Sequence, residues 1–434
     1  MNTSLPSTPR HQRSPLEIDK PTLLALIAIS LLFVETFGGA LRYYADVAGL
    51  SWVLYLPKIA CLLAVALEMP HYKGRPEIWL VLLGLVTASG LALLHGAALP
   101  NIAFSVFIYA PLLFGLICGV YIEQRMPLLC KFIGLCLVAS LLGVALDMYT
   151  DVPWKGYSYV IGDTELSGNK AWGSGGIDRL AGFSRDSTTL AVMIALFSLF
   201  MAAFLHSRLL RMALYVAALT GIVLTTNKST AAAYFLTLVM LFGAAYRIPS
   251  AAVFLLVTLV GLALPVASLM LNIPQSEAYS AGVMASFNDR LIHSWPNFIQ
   301  LVVDQGWAWW GAGFGASGGT LAAFPITGIE LLFIADNTAL YLWGMLGAFG
   351  VLLYLLLFPL LLRLHERGPR IREALLGIVF CVTLIGWATD VLEVVTATLF
   401  LGLAIAHVTT PLRAASPARG TPRRHGAQRL ARLY

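Results

Sequence analysis

The sequence predicts an all-α polytopic membrane protein of about twelve transmembrane helices, and three observations carry that reading. Of its 434 residues, 59% are hydrophobic and only 12% charged, with a mean hydropathy of +0.80. A water-soluble domain carries about 25% charge, so half that share points to lipid as the solvent. Apolar segments of span length recur between turn signals, at 21–40, 50–69, 78–94, 103–121, 127–148, 187–206, 209–225, 230–246, 249–272, 336–362, 371–389 and 393–409. Each is near the roughly 20 residues that one hydrocarbon crossing needs.

The third observation is the placing of the basic residues. With the N-terminus inside and the sides alternating, 20 of the 28 Lys and Arg fall in cytoplasmic segments. They are Arg10, Arg13 and Lys20 in the leader, then Lys73, Arg75, Arg125, Lys131, Arg208, Arg211, Arg247, four between Arg363 and Arg372, and six from Arg413 onward. Basic residues are retained on the cytoplasmic side, so both termini are expected inside. The organisation is a leader over 1–20, a single membrane domain over 21–409 and a basic tail over 410–434. The leader lacks a small-residue cleavage site, so the first span reads as uncleaved. The net charge of +6 is explained by this topology, and no nucleic-acid partner is expected. The five cysteines lie within or beside apolar segments and form no C-x-x-C pair, which predicts neither a disulfide framework nor a metal site.

Two outer loops are long, about 149–186 and 273–335. Long connections in compact proteins are usually functional or disordered, and these carry Trp, Tyr, Gly and isolated charges. In the second, Met284, Phe287, Leu291, Trp295, Phe298 and Val302 share one helical face. Such a helix would lie along the membrane surface, kinked at Pro296. Arg290 sits at the flank of that face. It would reach phosphate depth with a fork that pairs two oxygens, or snorkel to lipid headgroups. The run Gly306-Trp307-Ala308-Trp309-Trp310-Gly311-Ala312-Gly313-Phe314-Gly315 lacks the flanking strand of a dinucleotide fingerprint. Its tryptophans suit an interfacial belt. Its glycines would let backbone N–H groups approach a diphosphate or form a turn.

The first loop ends in Asp178-Arg179-Leu180-Ala181-Gly182-Phe183-Ser184-Arg185-Asp186, below Trp154, Tyr157, Tyr159 and Trp172. These rings would stack on sugars or anchor the loop to the bilayer. Lys228 adds a cation in the turn Thr225–Thr230. Asp336 and Asn337 open a span with Gly344, Gly347 and Gly350 spaced along it. Asp336 would serve as a helix cap or as a general base, with His293 and Glu330 as weaker candidates for the base.

Four of these features, in order, resemble the O-antigen ligase and polymerase family of bacterial membrane glycosyltransferases. They are Arg179-x-x-Gly182-Phe183, Asn227-Lys228-Ser229, Arg290-x-x-x-x-Trp295 with Gly311-x-Gly313-x-Gly315, and Asp336-Asn337. They span roughly residues 170–355. The resemblance implies a metal-independent, cofactor-free enzyme of GT-C type in the inner membrane with its active site in the periplasm. Its partners would be an undecaprenyl-diphosphate-linked glycan donor, a sugar hydroxyl on a lipid-linked glycan or lipid A core as acceptor, membrane lipids and a chain-length regulator. It implies Asp336, Arg290 and Arg179 as catalytic residues, and Arg179, Arg290, Lys228 and Arg185 on the diphosphate. Trp154, Tyr157, Trp172, Trp295 and Asn337 are expected on the glycan. Ligases carry a histidine where this chain has Asp336-Asn337, which moves the expectation towards a polymerase of repeat units. A ligase is the second expectation and a protein O-oligosaccharyltransferase of the same superfamily the third; a lipid-linked oligosaccharide flippase or exporter is the alternative from another class.

Overall fold

Helices occupy every apolar segment that the hydropathy pattern marks off, because a backbone in hydrocarbon must satisfy its polar groups within the segment. The computed structural model describes residues 18–409, apart from 73, 162–163, 168, 170–172, 175–176, 244–249, 272–284 and 367–368. Most of the leader, the basic tail and Trp172 therefore lie outside the described residues. The first six helices are α1 (Lys20–Thr36), α2 (Gly38–Val47), α3 (Leu56–Glu68), α4 (Glu77–Leu94), α5 (Leu99–Glu123) and α6 (Met126–Tyr149). Next come α7 (Ser187–Phe204), α8 (Arg208–Leu224), α9 (Lys228–Gly243) and α10 (Ser250–Ser268). Three short helices follow, α11 (Ala285–Asp289), α12 (Trp295–Asp304) and α13 (Gly319–Ala323). The chain then forms α14 (Thr338–Leu355), α15 (Leu357–His365), α16 (Arg370–Ile385) and α17 (Val395–Thr409). Among the described residues seven helices are long and apolar enough to cross a membrane.

A bent pair adds an eighth: α1 and α2 meet at 85°, where a straight span over 21–40 was expected. The bend lets the start of α2 meet the end of the first loop. The N–H groups of Gly39 and Ala40 donate to the Phe183 carbonyl at 2.9 and 3.2 Å, and a Cβ on Gly39 would collide with the Ser184 carbonyl. The loop itself departs from the all-α expectation. It contains two small antiparallel strand pairs, Ser158–Ile161 with Thr164–Ser167 and Gly173–Ser174 with Ile177–Asp178. Tyr159, Val160, Ile161 and Thr164 are the aromatic and β-branched residues that favour such pairing.

The bundle is built around α7, whose side chains are almost all buried, and around the crossing of α5 with α17. On α5, a Cβ at Gly115 would lie 2.5 Å from the Leu399 carbonyl, and Gly402 of α17 lies as close to the Leu112 carbonyl. Small residues let helices approach in lipid, where packing rather than hydrophobic exclusion drives association. On α4 the exposed Leu80, Leu83 and Val86 present an apolar face outward. Four of the five cysteines are buried and all five are free.

The described part of the second loop, from Ala285 on, packs into the bundle. Trp295, Phe298 and Val302 are fully buried, and the Phe298 ring sits against the space left by Gly344 of α14. A π-helical turn over Arg290–Ser294 joins α11 to α12, and Pro296 follows directly on it, in the first turn of α12. The glycine run is likewise internal. Ala312 and Gly313 donate to the carbonyls of Gly344 and Met345 at 2.7 and 2.9 Å, and Phe314 donates to that of Ala88 at 3.0 Å. Those N–H groups are thus committed to helices α4 and α14, not to a diphosphate. Gly347 breaks α14 with φ of +60° and lies against the backbone of Trp309 and Trp310, whose rings are exposed.

Because Leu112 meets Gly402 through its carbonyl, a side chain there must move backbone. Gly402→Val should lower stability by about 1–3 kcal/mol, the usual cost of overpacking. The check is the thermal unfolding midpoint in detergent, with Gly90→Ala, a position open to space, as the near-neutral comparison.

Candidate functional site

A cavity of about 1280 Å³ opens among α1, α2, α3, α5, α9, α10 and the two irregular segments before α7 and α14. It exceeds the roughly 300–1,000 Å³ of ordinary small-molecule pockets. Arg179, Arg185, Lys228, Arg290 and Asp336 all line it, although they lie on four segments far apart in the chain. Arg42, Lys58 and Glu35 also line it. The apolar part of its wall includes Phe104, Phe107, Leu236, Val260 and Leu264.

Each polar residue is held by a local device. Arg179 and Arg185 flank a turn pinned to the end of α6: Asp147 accepts from the N–H of Ala181 at 2.8 Å and of Gly182 at 3.0 Å. Lys155 lies 3.6 Å from the other Asp147 oxygen. Gly182 has φ of +56° and touches the Gly143 backbone, a fit that only glycine makes without strain. Asn169 donates to the Ser184 carbonyl at 2.9 Å. Within this turn the Arg179 Nε is buried and has no hydrogen-bond partner among the described residues. Asp186 caps α7 by accepting from the Thr189 N–H at 2.8 Å. Asn227 orients the turn before α9, accepting from the Thr230 N–H and donating to Thr188 of α7, both at 3.0 Å. That bond sets the exposed Lys228 beside the start of α7.

Arg290, also on the cavity wall, donates through Nε to Asp336 at 2.9 Å, and through its first terminal nitrogen to the Ser286 hydroxyl at 3.2 Å. Asp336 has φ of +49°, a left-handed conformation costing on the order of 1 kcal/mol for a residue with a Cβ. It is not the cap of α14. Asn337 is, accepting from the Leu340 N–H at 2.8 Å while its amide donates to the carbonyls of Gly261 and Trp387, each at 3.0 Å. Asp390 accepts from the N–H groups of Ala335, Asp336 and Asn337, each at 3.2 Å. Burial, with the carboxylates of Asp336 and Glu393 nearby, pushes the Asp390 carboxyl well above the usual carboxylate range, and the N–H donors oppose this less strongly. Glu393 in turn accepts from the Gly319 N–H at 2.7 Å and from the Tyr341 hydroxyl at 3.2 Å.

Four residues expected on the glycan lie elsewhere. Trp154 is buried and donates to the Gly182 carbonyl at 2.8 Å, so it supports the Arg179 turn. Tyr157 donates to Asp46 and meets the Tyr43 ring edge-on. Trp295 is fully buried against Phe287, and Asn337 is the buried cap just described. None of the four lines the cavity. Their aromatic or amide character is used for packing and capping, which sequence spacing does not distinguish from ligand contact. Of the weaker base candidates, Glu330 is tied up by the Gly328 N–H at 3.1 Å, and backbone N–H donors hold its carboxyl below the ordinary range. His293 lies 3.1 Å from Asp289 and does not line the cavity.

The residues missed by sequence reasoning are Asp147, Asp390 and Arg42. Glu35 and Lys58 also lie on the cavity wall, where the Lys58 ammonium is 4.8 Å from the centre of the Phe107 ring. Acids near helix ends are common, so neither Asp147 nor Asp390 carried a distinctive signal. Among the described residues no three His, Cys, Asp or Glu side chains are grouped as a metal site requires. The arrangement as a whole can hold an anion among Arg179, Arg185, Lys228 and Arg290 with a carboxylate beside it.

Asp147→Ala strips two N–H groups of a buried acceptor and should cost about 2–4 kcal/mol. Thermal unfolding in detergent measures this, and Asp147→Asn, which keeps one accepting oxygen, should lose less. No protein-family model matches the chain, and no curated protein sequence matches it.

Proposed function

We propose that this chain is a membrane glycosyltransferase of the O-antigen ligase and polymerase kind, joining undecaprenyl-diphosphate-linked repeat units at the periplasmic face of a bacterial inner membrane. In this reading all twelve apolar segments are spans and both termini are cytoplasmic. The observation that supports it most is the convergence of Arg179, Arg185, Lys228, Arg290 and Asp336 on one cavity. Four cations suit a diphosphate, and the apolar wall near Leu236, Val260 and Leu264 suits the polyprenyl chain that carries it.

The chemistry then follows from charge. The acceptor hydroxyl oxygen bonds to the anomeric carbon of the donor sugar as the carbon–oxygen bond to the diphosphate breaks. The bonding pair leaves with the diphosphate, whose growing charge Arg179 and Arg290 offset; stabilisation of this type is usually the largest contribution to catalysis. The hydroxyl proton passes to the Asp336 carboxylate. In the resting protein Arg290 and Asp336 hold each other, so the diphosphate competes with Asp336 for the guanidinium.

A lipid-linked oligosaccharide exporter is the second reading. The 85° break between α1 and α2, with Glu35 and Lys58 on the cavity wall, favours it, since broken helices and intramembrane charges mark transport paths. Purified protein separates the two, because a transferase consumes lipid-linked donor in detergent and an exporter does not. In that assay Arg290→Ala should slow donor consumption by about 100-fold or more while eluting as folded protein, and Arg290→Lys should recover only part. An Arg290→Ala protein with the wild-type rate would remove the diphosphate role.

A further inference from the structure

We propose that Asp390 is a positioning residue: its carboxyl gathers three successive backbone N–H groups and thereby fixes the Asp336 carboxylate against Arg290. The inference rests on the reading of Asp336 and Arg290 as the reacting pair. The turn that carries Asp336 belongs to no helix. Asp336 itself takes a φ of +49°, a region that residues with a Cβ leave unless their surroundings enforce it. The enforcement comes from the chain after α16. One Asp390 oxygen accepts from the N–H groups of Ala335 and Asp336, and the other from that of Asn337, each at 3.2 Å. The Thr338 N–H donates to the Gly386 carbonyl at 2.8 Å and its hydroxyl to that of Thr389 at 3.0 Å. The Asn337 amide donates to the Trp387 carbonyl at 3.0 Å.

Those bonds hold the backbone of 335–338, and from it the Asp336 side chain reaches Arg290 at 2.9 Å. Without Asp390, three N–H groups lose their acceptor together. Asp336 then loses the contacts that hold its own N–H and those of both neighbours, and the left-handed conformation that aims its carboxylate at Arg290 is weakened. Asp390 lines the same cavity, so an independent role in the chemistry is the competing explanation. Coupling separates the two, because a residue that acts only through Asp336 has nothing left to do once that carboxylate is gone.

Purified protein would be assayed for donor consumption with Asp390→Ala in the wild-type and Asp336→Asn backgrounds, together with Asp390→Asn. In the wild-type background Asp390→Ala should lower kcat by about 30-fold or more, with KM for the lipid-linked donor within about 3-fold. In the Asp336→Asn background the further loss should be under about 3-fold. Asp390→Asn keeps one accepting oxygen and should retain more of the rate than Asp390→Ala. Amide hydrogen exchange provides the readout that needs no turnover: exchange over Ala335–Asn337 should rise at least about 10-fold in Asp390→Ala. Equal losses in both backgrounds, or unchanged exchange at 335–337, would overturn the positioning role while the proposed function stands. Wild-type protein that consumes no donor would instead overturn the proposed function, and exchange alone would then decide whether Asp390 holds the turn.

Discussion

Irregular backbone can enter a helical membrane bundle only where its N–H and C=O groups find partners inside the protein, and here two carboxyl groups, the buried Asp147 and the half-buried Asp390, supply them. Asp147, at the end of α6, takes two N–H groups of the turn between Arg179 and Arg185. Asp390, after α16, takes three of the turn that carries Asp336. In both cases a side chain from one helix end replaces the water that an exposed loop would use. The candidate site exists because two non-helical turns are held this way at the same cavity.

Glycine does the complementary work. Gly39 and Gly182 let the start of α2 and the turn before α7 approach each other and α6 without a Cβ between them. The run from Gly311 to Gly315 threads between α4, α5 and α14, each glycine with positive φ. Had those N–H groups faced the cavity, they would have been candidates for anion binding. Their bonds to Ala88, Gly344 and Met345 make them a brace that fixes the second loop, and with it Arg290, on the bundle.

Electrostatically the cavity is balanced rather than simply positive. Six cations line it (Arg42, Lys58, Arg179, Arg185, Lys228 and Arg290), and so do six acids (Glu35, Asp186, Asp289, Asp336, Asp390 and Glu393). Asp186 and Glu393 accept backbone N–H groups, and Asp390 accepts three. Three of the six acids are thus engaged by backbone N–H groups, whereas Asp336 is engaged by the Arg290 guanidinium.

The helical class and the positions of the apolar helices were legible in the sequence because lipid imposes a length and a polarity on a crossing, and both are written residue by residue. The charged residues of that cavity were legible too: Arg179, Arg185, Lys228, Arg290 and Asp336 stand out as isolated charges between apolar segments, and all five line one cavity. What the tertiary structure alone decided is which neighbours of those charges are scaffold. Trp154, Trp295 and Asn337 look like ligand-binding residues by type, yet each is consumed by packing or capping. Asp147 and Asp390 look like ordinary helix-end acids, yet they hold the two turns. Hydrophobic periodicity reports only whether a position is buried. Which buried polar group meets which distant backbone depends on how the helices cross, and that information is nowhere local.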